Sequence, residues 1–292
     1  MYELIKLTEN DYFIQCPAKI GLVRLNSEEV CLIDSGNDKD AGKKALQIIT
    51  SNGWTLSAIY NTHSHADHIG GNKFLQSKTN CRIFARGAEV DFTRHPILEP
   101  SLLYGGYPHK ELKHKFLLAA ESNAEEIDTT ALPSGMTTVP LQGHSIDMIG
   151  FRTADDTVYL ADCLSSKQTL DKYGIGYIYD VGEYLETLQR VRNMQARIFV
   201  PSHTEPTENI APLAEYNIAK VNEISEKILS ICASPTSFED ILSKLFDCYS
   251  MTMTVQQYAL VGSTVRSYIA YLGNAELLNV HILNNTMLWQ RA

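Results

Sequence analysis

Apolar and polar positions alternate over short runs in the first part of the chain and recur at helical spacing in the last. Residues 1 to about 36 read as short strands with turns, and the β-prone run Glu29-Val30-Cys31-Leu32-Ile33 ends at Asp34-Ser35-Gly36. Ala41, Ala45, Leu46, Ile48 and Ile49 then fall on one helical stripe, which Gly53 terminates. Ala58-Ile59-Tyr60-Asn61 predicts a strand running straight into Thr62-His63-Ser64-His65-Ala66-Asp67-His68, and Arg82-Ile83-Phe84-Ala85 predicts another. Strand, helix, strand and a polar cluster at a strand's carboxyl end describe an α/β unit with its site at the sheet edge.

Residues 93–135 carry no clear period and hold Pro96, Pro100, Gly105-Gly106, Pro108 and Pro133, a pattern that predicts a lid or pocket wall. Regular patterning returns at 136–141, 147–153 and 157–161, the last two joined by an Asp155-Asp156 turn. Tyr184, Leu185, Leu188, Val191 and Met194 mark an amphipathic helix, followed by a strand from Arg197 that ends at Pro201-Ser202-His203. From about residue 208 the spacing is helical, through Ile210, Leu213, Val221, Ile224, Ile228 and Ile231. Thr236 and Glu239 form a capping box for a helix through Phe246, a third helix spans about 255–272, and two strands flank Asn284-Asn285. Helix, helix, helix, hairpin is the order of a winged helix, so the chain divides into 1–207 and a helical winged-helix-like 208–292.

The composition, 44% hydrophobic and 20% charged, is that of a globular chain. No run approaches the roughly 20 apolar residues of a membrane span. The first residues lack a signal-peptide pattern, so a cytoplasmic protein without membrane contact is expected. The net charge of −9, with five basic residues against eight carboxylates in 208–292, weighs against nucleic acid as partner without excluding it. Six scattered cysteines with no C-x-x-C pair predict reduced, mostly buried thiols.

The strongest chemical signal is His63-x-His65-x-Asp67-His68, four potential ligands within six residues after an apolar strand. Neutral imidazoles suit zinc and other first-row ions, and a carboxylate adds charge without redox liability. Alternation at the strand end sends His63 and His65 one way and Asp67 and His68 toward a neighbouring position, so the cluster can serve two ions. His144, Asp162 and His203 each follow or end a predicted strand. Singly they are weak signals; together they fall at one edge of a layered α/β fold.

The order Asp34, His63-x-His65-x-Asp67-His68, His144, Asp162, His203 resembles the five motifs of the metallo-β-lactamase superfamily over roughly residues 10–207. The resemblance implies an α/β (α+β) fold, the four-layer αβ/βα sandwich, with the site along one edge of two facing sheets. It implies one metal at His63, His65 and His144, a second at Asp67, His68 and His203, and Asp162 bridging. Asp34 would support the metal loop without binding metal, and Asp67 would orient a hydroxide and move its proton. Cys163, one residue past the bridging position, is expected to face the core rather than serve as a thiolate ligand.

The resemblance therefore implies two divalent ions, zinc first with iron or manganese as alternatives, and hydrolysis of a small ester, thioester or lactone by a metal-bridging hydroxide. A single-stranded-RNA endonuclease and an iron-bearing redox or sensing module are the competing readings. Elsewhere, His95, His109 and His114 are expected to be exposed. One of Tyr173, Tyr177 and Tyr179 is a candidate substrate contact, and the tail is a candidate packing or homodimer element.

Overall fold

The computed structural model describes residues 2–128 and 130–292. The first half contributes β1 (Glu3–Lys6), β2 (Asp11–Gln15), β3 (Ile20–Arg24), β4 (Glu29–Ile33), α1 (Lys39–Ser51), β5 (Thr55–Tyr60), α2 (Ala66–Ile69), α3 (Asn72–Thr79), β6 (Arg82–Ala85), α4 (Ala88–Arg94), α5 (Leu98–Tyr104) and β7 (Ala124–Glu126). Its seven strands pair in chain order, antiparallel from β1 to β4 and parallel from β4 to β7. A second sheet, ordered β11-β10-β9-β8, is made by β8 (Thr137–Pro140), β9 (Ile149–Arg152), β10 (Thr157–Ala161) and β11 (Ile198–Pro201), with α6 (Lys167–Tyr173) and α7 (Val181–Arg192) between the last two strands.

Period-two alternation explains why the sheets stack. Phe13, Cys31, Ile33, Tyr60 and Phe84 point from the first sheet onto Ile149, Phe151, Tyr159 and Val200 of the second. Their neighbours Ile14, Leu32, Ile59 and Ile83 point the other way, onto Ala45 and Ile49 of α1 and Leu75 of α3. Val158, Leu160 and Phe199 pack outward with Leu188 and Val191 of α7. Helices, sheet, sheet, helices: this is the four-layer αβ/βα sandwich. Each fully buried aliphatic or aromatic side chain contributes about 1.5–3 kcal/mol.

The tail comprises α8 (Ala211–Ile231), β12 (Thr236–Ser237), α9 (Phe238–Cys248), α10 (Val255–Asn274), β13 (Leu278–Leu283) and β14 (Thr286–Arg291), with strand order β12-β14-β13. Asn284 and Asn285, both at positive φ, make the hairpin turn. One apolar cluster runs from Leu160 and Tyr184 through Ile224, Leu245 and Tyr268 to Leu278, so the tail and the outer face of the second sheet share a core. The cap of α9 is Ser237, whose hydroxyl accepts from Asp240 N, not the expected Thr236. Thr236 is held in β12 opposite Trp289 and cannot reach the helix end.

The segment 93–135 is more regular than its sequence suggests, holding α5, a 3-10 turn over Lys110–Leu112 and β7. Elements this short span too few turns to display a period. The cysteines are free, and Cys163 lies in the core as expected. Among the described residues no helix is long and apolar enough to cross a membrane.

Candidate metal centre

The site lies where β4, β5, β10 and β11 end and where the chain leaves the second sheet after β8. β4 stops at Asp34, which takes a positive φ of 62°, a conformation aspartate tolerates. There its carboxylate accepts from Thr62 N, Thr62 Oγ1 and His68 Nδ1, each at 2.8 Å. Thr62 spends its hydroxyl proton on Asp34, so it accepts from His63 Nδ1 at 2.9 Å. These bonds leave Nε2 of both His63 and His68 as the atoms turned to the site.

The second sheet supplies the opposite wall. Gly143, at φ +115°, brings the chain so close to α7 that a Cβ would lie 2.3 Å from Tyr184 N; only glycine fits before His144. His144 Nδ1 lies 3.1 Å from the Tyr177 carbonyl and His203 Nδ1 2.9 Å from the Pro17 carbonyl, which fixes both rings with Nε2 inward. Ala161, a non-glycine residue at φ +50°, sits at a register shift of β10 and turns Asp162 into the cleft.

Seven of the eight predicted site residues converge as two groups. His63, His65 and His144 form one; Asp67, His68, Asp162 and His203 form the other, and within each group the candidate ligand atoms lie within 4.8 Å of one another. His63 Nε2 and His144 Nε2 stand 3.0 and 3.1 Å from His65 Nδ1. Asp162 spans the groups: its Oδ1 is 3.2 Å from His68 Nε2, and its Oδ2 is 3.1 Å from His203 and 3.7 Å from His144. Asp67 Oδ2 lies 3.3 Å from His203 Nε2. The eighth, Asp34, holds two of these loops from behind.

This donor set fits cations. A metal bonded to nitrogen at about 2.0–2.1 Å in tetrahedral geometry places its ligands roughly 3.3 Å apart, close to the spacings found. Three neutral imidazoles aiming lone pairs at one point have no mutual hydrogen bonds that satisfy all of them. His68 Nε2 and Asp162 Oδ1 are buried and face each other at 3.2 Å without the alignment of a hydrogen bond, and neither has another partner among the described residues.

Electrostatics separates the two groups. Burial, reinforced by the neighbouring histidines, holds the His63 pKa well below the usual range, brings His65 down to about 4 and His144 to about 3. His68 is buried too, yet Asp162, Asp67 and Asp34 outweigh that and hold its pKa well above the ordinary value. Asp162 raises His203 to about 10. Against their own burial, the facing imidazolium groups lower Asp67 to about 2 and hold Asp162 well below the carboxylate range.

Several residues at the site have no counterpart in the motif reading. Glu89 of α4, 2% exposed, accepts from Ser64 N and Oγ and from Ser145 Oγ and Asp147 N, tying the loop around His65 to the loop after His144. Glu99 of α5, 9% exposed, places Oε1 4.0 Å from His65 Nε2 and accepts no hydrogen bond from a described group. Burial, with Asp67 and Glu89 nearby, pushes its pKa well above the usual range. Both border a narrow recess, otherwise lined by Phe92, Leu102, Ile146 and Tyr177 among others, with room for about one water. Tyr177 packs edge-on to His65 and His144. Tyr173, His95 and His109 are exposed and stand apart from the metal groups; His114 is half-buried and lies outside them as well.

The tail reaches this wall. Ser267 of α10 donates to the Tyr179 carbonyl at 2.6 Å, and Thr264 Oγ1 accepts from Ile178 N at 3.3 Å. Tyr179 N and Asp180 N both donate to the Gly143 carbonyl at 2.9 Å. A chain of hydrogen bonds thus runs from α10 through residues 177–180 to His144.

A layered sandwich with histidines and aspartates of both sheets at one edge defines a metal-binding α/β protein. The chain belongs to the metallo-beta-lactamase superfamily, whose family model matches residues 14–203. It is 25% identical over 197 residues to a hydroxyacylglutathione hydrolase of Rhodospirillum rubrum, a match covering 66% of this chain and 65% of that one. The chain therefore matches just under two thirds of that relative's length. A beta-lactamase domain protein from Burkholderia ambifaria shares the fold over 99% of this chain and 94% of its own, with a TM-score of 0.76 at 16% identity. A metallo-beta-lactamase family protein from Thermus thermophilus does so over 100% and 98%, with a TM-score of 0.72 at 16% identity. Both likenesses include the tail.

Proposed function

We propose that this protein is a metal-dependent hydrolase acting on a small ester, thioester or lactone, with two divalent cations, zinc first among them. His63, His65 and His144 would hold one ion, and Asp67, His68 and His203 the other, with Asp162 between them. The observation that carries the reading is the gathering of these seven side chains into two adjoining groups, with Asp162 in reach of both. The name of the Rhodospirillum relative, a hydrolase of an acyl group on glutathione, supports acyl transfer to water.

Two bound cations would supply acidification of a water toward neutral pKa and polarisation of the carbonyl under attack. The remaining work belongs to the chain. Asp34 keeps His68 in one orientation and one tautomer. Asp67, facing His203 and His68, would take the proton of the attacking water and return it to the leaving group.

The tail supports a small-molecule substrate over RNA. Thr264, Val265 and Tyr268 of α10 are buried and its Ser267 restrains the pocket loop, so this helix serves as a wall. We take 1–207 as the metal-hydrolase part and 208–292 as a winged-helix-like wall and packing element.

Elemental analysis and a substrate panel test the reading together. Close to two ions per chain, turnover of thioesters or lactones, and loss of both on chelation with recovery on adding zinc are expected. Turnover indifferent to a chelator, or cleavage of unstructured RNA with no acyl substrate turned over, would overturn it.

A further inference from the structure

The hairpin of β13 and β14 stands out by what it lacks. From residue 277 to residue 290 the sequence holds no Lys, Arg, Asp, Glu or Pro, in a chain of net charge −9. β13 is the edge of its sheet, with β14 on one side and no strand on the other among the described residues. Exposed edges of soluble proteins are usually blunted by a charge, a proline or a bulge. β13 has none of these, and its six residues pair with β14 in unbroken register. Val280, Ile282, Leu283 and Met287 are each more than half exposed, and Leu277 is nearly so.

The ladder decides which backbone groups are free. The two-residue turn at Asn284-Asn285 closes on the pair Leu283–Thr286, and Ala292 N donates to the Leu277 carbonyl in the same register. Opposite residues of an antiparallel pair alternate between bonded and unbonded. Leu277, Asn279, His281 and Leu283 therefore turn their N–H and C=O groups to β14, while Leu278, Val280 and Ile282 turn theirs outward. We propose that this edge pairs with the same edge of a second copy, antiparallel about a two-fold axis at Val280, to give a homodimer with one six-stranded sheet.

That register satisfies backbone and side chains together. Val280 stands opposite its own counterpart and Leu278 opposite Ile282, so the outward groups of both strands pair in six hydrogen bonds. On the reverse face Leu283 meets Leu277, and Asn279 meets His281. Centring on His281 instead would set Leu278 against the turn residue Asn284 and Leu283 against Asn279. Apolar positions placed symmetrically about one residue are what a two-fold partner needs, because each patch must match itself. Two acidic chains repel where their charges meet, and the hairpin lets them approach without such a meeting. Four side chains per copy and the strand edge amount to roughly 500 Å² a side, so the pair reaches the lower limit of a specific interface. A dissociation constant of about 1–100 µM follows from an interface of that size.

Sedimentation velocity across that concentration range tests the proposal. The native chain should pass from 32.7 kDa toward twice that mass as concentration rises. Val280→Lys sets two ammonium groups face to face at the axis and should stay monomeric throughout, with unchanged melting temperature and metal content. Cysteine scanning reads the register. In a Cys248→Ser background, which removes the exposed native thiol, Val280→Cys should form an intermolecular disulfide on treatment with diamide. The paired Cα atoms would lie about 5.5 Å apart, within disulfide reach. Leu283→Cys, far from its counterpart in this register, should not. A native chain that stays monomeric, a dimer that Val280→Lys leaves intact, or cross-linking through Leu283→Cys as readily as through Val280→Cys would overturn the proposal.

Discussion

His68 and Asp34 meet through a 2.8 Å hydrogen bond from Nδ1 to a carboxylate oxygen, with both side chains essentially inaccessible to solvent. Because that oxygen only accepts, it fixes the proton on Nδ1 and presents Nε2 to the site. Asp34→Asn tolerates the same backbone conformation but turns an amide donor or a weaker acceptor toward the ring. Metal affinity at the group containing His68 should fall by about 10–100-fold, as read by chelator competition. Ion binding at His63, His65 and His144 should weaken less, because Asp34 reaches His63 only through Thr62.

In the proposed hydrolase, Asp67 is the side chain that would move a proton. Asp67→Asn retains the volume of the side chain but cannot take up a proton at neutral pH. We expect kcat to drop by about 10²–10⁴-fold in protein that still carries an ion at His63, His65 and His144. A variant with native turnover and native metal content would remove Asp67 from the chemistry.

The two groups should respond differently to pH. His65 at about 4 and His144 at about 3, with His63 lower than usual, are already proton-free at neutrality. His68 and His203, the latter raised to about 10, hold protons that an incoming ion must displace. Affinity at the second group should therefore rise with pH through neutrality until about pH 10, roughly tenfold per unit for each proton released. Affinity at the first group should stay nearly level over the same range. In metal-free protein the sign reverses: stability from His68 and His203 is fully present below about pH 6.5, the unfolded histidine value, and fades as pH climbs toward 10. Competition with a chromophoric chelator at several pH values, and melting of the metal-free form, check both statements.

Thr264 and Ser267 are far from the metal groups in sequence yet restrain the loop whose Tyr177 carbonyl orients His144. Thr264→Val with Ser267→Ala removes the two hydrogen bonds to that loop, each worth about 0.5–1.5 kcal/mol, along with two weaker ones within α10. We expect a modest loss of stability, a several-fold weaker ion at His63, His65 and His144, and a larger fall in kcat than a purely structural loss would produce. Because tail and second sheet share one apolar cluster, calorimetry of the native chain should show a single unfolding transition.

How much of the site was legible depended on the kind of contact. His63, His65, Asp67 and His68 are close in sequence and follow an apolar strand, so their convergence could be read from spacing. His144, Asp162 and His203 stood out because each adjoins the end of a predicted strand, and strands of a sandwich bring their ends to one edge. Glu89 and Glu99 gave no signal: a carboxylate on a seven-residue helix looks solvent-exposed until the neighbouring loops cover it. The carbonyls of Pro17 and Tyr177, which orient His203 and His144, leave no trace in side-chain identity at all. The cap of α9 falls at Ser237, one residue past the position that local capping preference favours, because Thr236 pairs with β14.

His63, His65, Asp67 and His68 are carried by the first sheet, while His144, Asp162 and His203 are carried by the second, and each ligand group draws on both. Any ion seated there acts as a rivet across the seam of the sandwich. A cell short of metal would then be left with more than idle protein: its two halves would be less firmly joined, easier for a protease to open, and the amount of the protein would track the supply of its ion.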